Sequence, residues 1–422
     1  MTTGQGFTDR FLSDDEIFEI CREAFSSVDI QDRKLLFIIP DHTRSAPVDK
    51  MFKAIYDLAA HTAAKLDFIV ALGTHPPMSD DAINQRVGIT AKARSTTYKK
   101  AGFYNHHWKK KGQLVKIGTI TADEVKDISD GLISEAVDVS INKIVFDYDK
   151  LFIVGPTFPH EVVGFSGGNK YLFPGISGPE IIDMFHWLGA LITSPRIIGN
   201  AYTPVRAIVD KAAEFVNIEK YAFSMVAKGK NDLAGLYFGS PEAAWEKASE
   251  LSGKLHIIYK NKPYKRILSK APLMYDDLWV GAKCMYKMEP VVADDGELII
   301  YAPHIKEISV THGEWIKRIG YHSLPYFLKQ MNKFKNVPGG IMAHSTHVRG
   351  VGTYENGVEK SRICVTLATQ IPEEICHQVN LGYMNPDDID VDMWKNRENE
   401  GILYVPKAGE MLYRLKDDPF TK

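Results

Sequence analysis

At 422 residues the chain is long enough for two or three domains, each able to bury its own core. Apolar residues at 45% and charged residues at 25% are ordinary for a globular protein, and a net charge of -2 gives no basis for a nucleic acid or an anionic membrane as partner. No apolar run approaches the roughly 20 residues of a membrane span, and the N-terminus lacks the basic-then-apolar order of a secretory signal. Cys21, Cys284, Cys364 and Cys376 show neither metal-ligand spacing nor the density of a disulfide scaffold, so a reduced, cytoplasmic setting is expected.

Apolar runs alternate with helix-like stretches through the first 260 residues, which reads as an α/β domain with a largely parallel sheet. Lys34 to Ile39 is the first strand, followed directly by Asp41-His-Thr-Arg44. Leu66 to Leu72 is the second, ending at Gly73-Thr-His75. Ser79 to Val87 has a helical pattern. His106 and His107 open a basic stretch and read as a solvated loop rather than as ligands, since neither falls at an expected strand end. Lys150 to Val154 is a further strand, and a loop carrying His160 follows it. Ligands of open α/β sheets sit at the carboxyl ends of strands, and three strands here deliver polar residues to that edge: Asp41 and Arg44, then His75, then His160. Tyr221 to Val226 and Leu255 to Tyr259 are expected to close this domain.

A change of register near Lys262-Pro263 sets the expected boundary, giving domains 1–260 and 261–422 with a cleft between them as the natural ligand site. The second domain is also α/β. It is expected to hold a helix from Asp276 to Met288, a strand at Leu298–Tyr301, a helix around Trp315 and Ile319, and strands near Ile341 and at Ile363–Leu367. Ile402 to Val405 and a short helix after it are expected to pack back on the first domain.

The densest signal is Gly155 to His186, reading GPTFPHEVVGFSGGNKYLFPGISGPEIIDMFH. Gly155-Pro156 ends the preceding strand, and Ser177-Gly-Pro-Glu180 has capping-box spacing with proline near the first helical position. On that helix His186 shares a face with Ile182 and Ala190. Glycines between His160, Lys170 and His186 let backbone N–H groups close on an anion. The loop is not a P-loop, because Asn169 separates the glycines from Lys170 and Tyr171 stands where a Ser or Thr would bind magnesium. Read singly, a helix histidine is usually packing and a glycine loop is usually a turn. Their combination is what points to a site.

The string PHEVVGFSGGNKYLFPGISG, with His186 sixteen positions after Lys170, resembles the lactate racemase family of nickel-pincer enzymes. Asp41-His-Thr-Arg44 and Gly73-Thr-His75 extend the resemblance. It implies a racemase or epimerase that inverts C2 of a small 2-hydroxy acid by hydride transfer to and from a nickel-pincer nucleotide attached covalently through a lysine and made by separate biosynthetic enzymes. By resemblance Lys170 is that lysine, His186 the nickel ligand, and His75 with His160 the general acid/base pair. Arg44 is the substrate-side arginine. Asp41, Ser166, Gly167 and Gly168 belong to the cofactor pocket, and Lys283 holds substrate.

Acid–base catalysis alone contributes about 10²–10⁴-fold, too little for a C–H bond of such low acidity, so a cofactor has to supply the acceptor. The chain offers no G-x-G-x-x-G fingerprint for a dinucleotide. Lactate-specific members carry a Gln three positions before the substrate lysine, where this chain has Val280. A site lacking that amide favours a different substrate, such as a longer hydroxy acid or a sugar acid, with lactate the alternative. Two other classes compete: a metal-dependent hydrolase or lyase built on His75, His160 and His186, and a non-catalytic binder of small anions.

Overall fold

Six strands in the first 240 residues each contribute one aromatic ring to a single file across the sheet. The computed structural model describes residues 2–229 and 231–420. Contacts divide the chain into two units, the first comprising Met1–Phe158, Phe165–Ile182 and Arg206–Leu255 and the second Pro159–Gly164, Asp183–Val205 and His256–Lys422.

Unit 1 is a seven-stranded sheet: β1 (Thr3–Gly6), β2 (Lys34–Pro40), β3 (Lys65–Ala71), β4 (Ala101–Asn105), β5 (Lys150–Pro156), β6 (Glu219–Lys228) and β7 (Asp232–Gly239), in the order β1-β7-β6-β5-β2-β3-β4. Strands β4, β3, β2, β5 and β6 run parallel, and β7 and β1 close one edge antiparallel. The chain builds outward from β2 through β3 to β4 and then returns to the other side of β2 with β5. The crevice at the carboxyl ends of β2 and β5 is therefore a topological switch point.

Cross-strand register aligns Phe103, Phe68, Phe37, Phe152 and Tyr221 as successive neighbours. Their rings stack at centroid distances of 5.4, 5.1, 4.9 and 5.4 Å, and Phe238 extends the file 5.5 Å beyond Tyr221. Offset stacks at such spacing contribute beyond the area they bury. Helix α1 (Asp14–Ser26), started by a Ser13–Glu16 capping box, and helix α2 (Val48–Ala59) cover this face through Phe25 and Phe52. The expected helix near residue 80 forms at Asp80–Arg86, capped by Ser79.

Unit 2 is a second parallel sheet: β8 (Tyr264–Lys270), β9 (Val292–Ala302), β10 (Cys364–Thr369), β11 (Gly382–Tyr383) and β12 (Ile402–Val405), in the order β11-β10-β9-β8-β12. Both units are α/β, as the alternation of apolar runs implies.

Several local expectations are corrected. The stretch near Ile341 is a helix, Gly339–Arg349, not a strand, and its residues from Ile341 to Val348 are all buried. A short run buried on every face shows no amphipathic period to tell helix from strand. Asp276 to Met288 is not one helix but two short ones, Leu278–Gly281 and Lys283–Tyr286, the first capped by Asp277 accepting from the Val280 amide. After β12 the chain forms a strand, Leu412–Leu415, rather than a helix, and this pairs with Ile257–Lys260. Arg414 ties it further by donating to the carbonyls of Ile198 and Pro195.

Phe152 is fully buried at the centre of the ring file. Phe152→Ala should cost about 3–5 kcal/mol of unit 1 stability, read as a lowered urea midpoint. A loss below roughly 1 kcal/mol would show that the file does not carry the core.

Candidate active site

The carboxyl end of β2 runs straight into Asp41, and β3 ends in a tight turn that carries His75. Gly73 makes this turn at φ +56, and its amide donates to the Gly175 carbonyl at 2.9 Å, laying the turn against the end of the glycine loop. His75 Nδ1 lies 2.6 Å from Asp41 Oδ2. Asp41 Oδ1 accepts from the Thr43 amide at 3.0 Å and the Thr43 hydroxyl at 2.7 Å. Burial alone would raise the Asp41 carboxyl, but His75, Arg44 and the Thr43 bonds together hold it well below the ordinary carboxylate range. Asp41 is thus an anion that fixes the His75 ring. With the proton on Nδ1, Nε2 is the free base. The resemblance placed Asp41 in a cofactor pocket; its bond partner here is the candidate catalytic histidine.

Two residues not singled out from the sequence belong to the same neighbourhood. Arg86 donates to the Arg44 carbonyl at 2.9 Å and to the Pro40 carbonyl at 3.3 Å, bracing the β2 end. Tyr171 is buried, which raises its phenol, while the charges of Arg44 and Arg86 pull the other way. Arg86 follows an ordinary helix pattern, and Tyr171 drew notice only as a departure from the P-loop, so neither carried a usable signal.

The glycine loop is held from below. Ser166 Oγ accepts from the Phe158 amide at 2.9 Å and donates to the Pro156 carbonyl at 3.1 Å. The Trp245 indole N–H donates to the Ser166 carbonyl at 2.9 Å, and the Arg206 guanidinium lies 4.1 Å over that indole while donating to the carbonyls of Phe165 and Gly167. Gly167 sits at φ +90, and a Cβ there would come within 2.5 Å of Thr157 Oγ1. Gly168, at φ +56, opens the short 3₁₀ turn Gly168–Tyr171 that carries Lys170. Only glycine suits these two positions. Beneath them Thr157 Oγ1 and Asn169 Oδ1 are buried without a hydrogen-bond partner. Such atoms rarely stay unmatched, and the Asn169 carbonyl oxygen calls for a hydrogen-bond donor such as a hydroxyl.

Helix α3 (Pro179–Ile192) begins at the expected proline, and its unit 2 portion carries His186, whose ring lies 4.5 Å from that of Phe185. The turn holding His160 packs on this helix, with Val162 against Gly189. The Val162 amide donates to His160 Nδ1 at 3.2 Å, which places the ring proton on Nε2. When Nδ1 is protonated it meets Glu161 Oε2 at 3.2 Å instead. Near His186 lies His344, stacked on Trp279 with centroids 3.8 Å apart. Burial first, then His347, His312 and His186, push its imidazole well below the ordinary value. Lys283 Nζ lies 4.7 Å from the centre of the Tyr275 ring. Trp279, His312 and His344 went unremarked in the sequence because their meeting depends on unit 2 packing.

His106 is not a solvated loop residue. It follows β4 directly, is fully buried, and its Nε2 lies 3.1 Å from the Ser177 carbonyl oxygen while the Asn142 side-chain amide lies 3.1 Å from its Nδ1. Burial pushes its imidazole down to about 4, so it stays neutral as a structural tie. Among the described residues no three His, Cys, Asp or Glu side chains are arranged to hold a metal ion.

Residues 18–197 match the lactate racemase N-terminal domain family. A lactate racemase from Thermoanaerobacterium thermosaccharolyticum is 22% identical over 277 residues, which is 64% of this chain and 60% of that relative's length. A crystal structure of a Thermotoga maritima protein is similar at a TM-score of 0.89 with 32% identity, covering 97% of this chain and 100% of that one. The lactate racemase apoprotein from T. thermosaccharolyticum shares the fold at a TM-score of 0.69 with 18% identity, over 97% of this chain and 95% of that one.

The depressed Asp41 carboxyl has a sign that can be tested. A folded-state value below the unfolded value of about 3.9 gives stability that is full above that pH and lost as pH falls through the folded value. The stability gap between the wild type and Asp41→Asn should therefore be widest near neutrality and narrow below about pH 4 in urea titrations. A gap unchanged down to about pH 2.5 would show that ionised Asp41 does not stabilise the fold.

Proposed function

Because the chain belongs to the lactate racemase family, we propose that it is a racemase or epimerase inverting C2 of a small 2-hydroxy carboxylate. The observation that supports this reading is the contrast between two histidines. His75 donates a hydrogen bond from Nδ1–H to Asp41 and keeps Nε2 as a base, whereas His160 Nδ1 accepts the Val162 amide, which favours the tautomer with Nε2–H as an acid. Racemisation asks for one group that removes the hydroxyl proton and one that returns it, with the roles exchanged for the other enantiomer.

The remaining assignments are those that the family resemblance implies. The Arg44 fork suits the substrate carboxylate. Lys170, at the end of the glycine cradle, would hold a nickel-pincer nucleotide covalently, with Ser166, Gly167 and Gly168 against it and His186 as the protein ligand to nickel. Such a group, when bound, would accept hydride from C2 and return it. His75 and His160 move only the hydroxyl proton, and Asp41 keeps His75 in the tautomer that can take it.

The substrate is proposed to be a 2-hydroxy acid other than lactate, a longer or sugar-derived one. The reason is Val280, three positions before Lys283, which presents no side-chain amide and whose own N–H is taken by Asp277 at 3.0 Å. Lactate itself is the second reading, carried by the relatives' name.

Two outcomes test this reading. Protein made together with the cofactor biosynthesis enzymes should show a mass adduct that Lys170→Ala lacks; an adduct persisting in that variant would remove Lys170 as the tether. In the loaded enzyme, His75→Ala and His160→Ala should each lower turnover in both directions by about 10²–10⁴-fold while leaving nickel content unchanged. A variant impaired in one direction only would contradict detailed balance and point to an assay of a different reaction.

A further inference from the structure

The segment that leaves Lys170 is pinned carbonyl by carbonyl. The Gly175 amide donates back to the Lys170 carbonyl at 3.1 Å, and a Cβ on Gly175 would clash with the Tyr171 carbonyl. The carbonyls of Gly175, Ile176 and Ser177 are then taken by donors from three different places in unit 1. Gly73, in the turn after β3, donates to Gly175 at 2.9 Å, and the Asn142 amide donates to Ile176 at 2.8 Å. The third, Ser177, accepts from the side chain of His106, which follows β4. Two residues later α3 begins.

The tautomer of His106 is fixed by Asn142. Asn142 Oδ1 accepts the Ile144 amide and the Gln113 side-chain amide, both at 3.1 Å. Its NH₂ group therefore faces His106 Nδ1, 3.1 Å away, and donates to it. An Nδ1 that accepts carries no proton, so Nε2 holds the hydrogen and donates to the Ser177 oxygen at 3.1 Å. His106 and Asn142 are both fully buried, and the His106 amide is held in turn by the Val70 carbonyl on β3. A buried imidazole with its own partner is a rigid tie. Here its acceptor lies on the segment that joins the Lys170 turn to α3.

We infer that His106 is a positioning residue for Lys170: through the Ser177 carbonyl it holds the 170–178 segment still, so that the lysine amine is presented in one place. The inference rests on the reading of Lys170 as the tether of a bound group. A group attached through the chain inherits any slack in its anchor, and a displacement of about 1 Å can cost on the order of 10²-fold in rate. In this scheme His106 acts through the backbone alone and handles no proton of the reaction.

Two substitutions separate positioning from packing. His106→Asn ends at about the level of Nδ1 and keeps a partner for Asn142, but falls short of Ser177. His106→Gln carries an amide N–H to about the level of Nε2. Amide hydrogen exchange over 170–178 of the apoprotein should quicken about tenfold in His106→Asn, the weight of one hydrogen bond. In His106→Gln it should return near the wild-type rate, and β2, β3 and β5 should exchange as before in both. Made together with the cofactor biosynthesis enzymes, His106→Asn should lose part of the Lys170 mass adduct that the wild type carries, and His106→Gln should keep it. Equal behaviour of the two variants on either readout would mean packing alone and overturn the inference. In the wild type, nitrogen NMR should find His106 protonated at Nε2; a proton on Nδ1 would overturn the inference with no variant made. A wild type that takes up no adduct would sink the tether reading instead, while exchange and tautomer would still decide whether His106 holds the segment.

Discussion

Unit 1 depends on register. Because Phe37, Phe68, Phe103, Phe152 and Tyr221 are directly paired across neighbouring strands, a slip of one residue in any strand would turn its ring to the other face. The stacked file therefore fixes strand alignment as well as filling the core. With alignment fixed, the carboxyl ends of β2, β3 and β5 come out level, and the short segments leaving them are delivered to one edge with little freedom.

The chemistry of the candidate site follows from that alignment. Asp41 and His75 lie 34 positions apart but meet at 2.6 Å because β2 and β3 are adjacent and end together. The Gly73 turn touches Gly175, so the β3 end also anchors the glycine loop. Trp245 and Arg206 reach the same loop from later helices, and Arg206 takes up carbonyls that a sharply turning backbone would otherwise leave unmatched.

Much of this was legible in the sequence, for identifiable reasons. β2, β3 and β5 are apolar through most of their length, the mark of strands buried on both faces, and their ends were placed to within two residues. The polar residues following them, Asp41, Arg44 and His75, could be read as edge residues without knowing their partners. The Asp41–His75 bond could not, since it depends on strand adjacency that the sequence does not state. β4 was missed because Ala101–Asn105 is only half apolar, and with it went the burial of His106 behind a run that looks basic and solvated. The helix at Gly339–Arg349 was misread because it is buried all round and shows no amphipathic period. His160 was found from its motif, but its tautomer belongs to the fold, set by the amide two residues later.

The antiparallel edge of unit 1 has a further consequence during synthesis. β1 at Thr3–Gly6 pairs with β7 at Asp232–Gly239, so β1 must wait for a strand more than two hundred positions later. At ribosomal rates of about 5–20 residues per second the delay is on the order of 10–50 s. β2 likewise waits for β5 on one side, since Leu35 pairs with Lys150. Through that interval an aromatic, apolar strand edge is exposed without its neighbour, the situation in which nascent chains pair with one another. A cell making this protein would therefore gain more from a chaperone acting while the chain is still on the ribosome than from one acting after release.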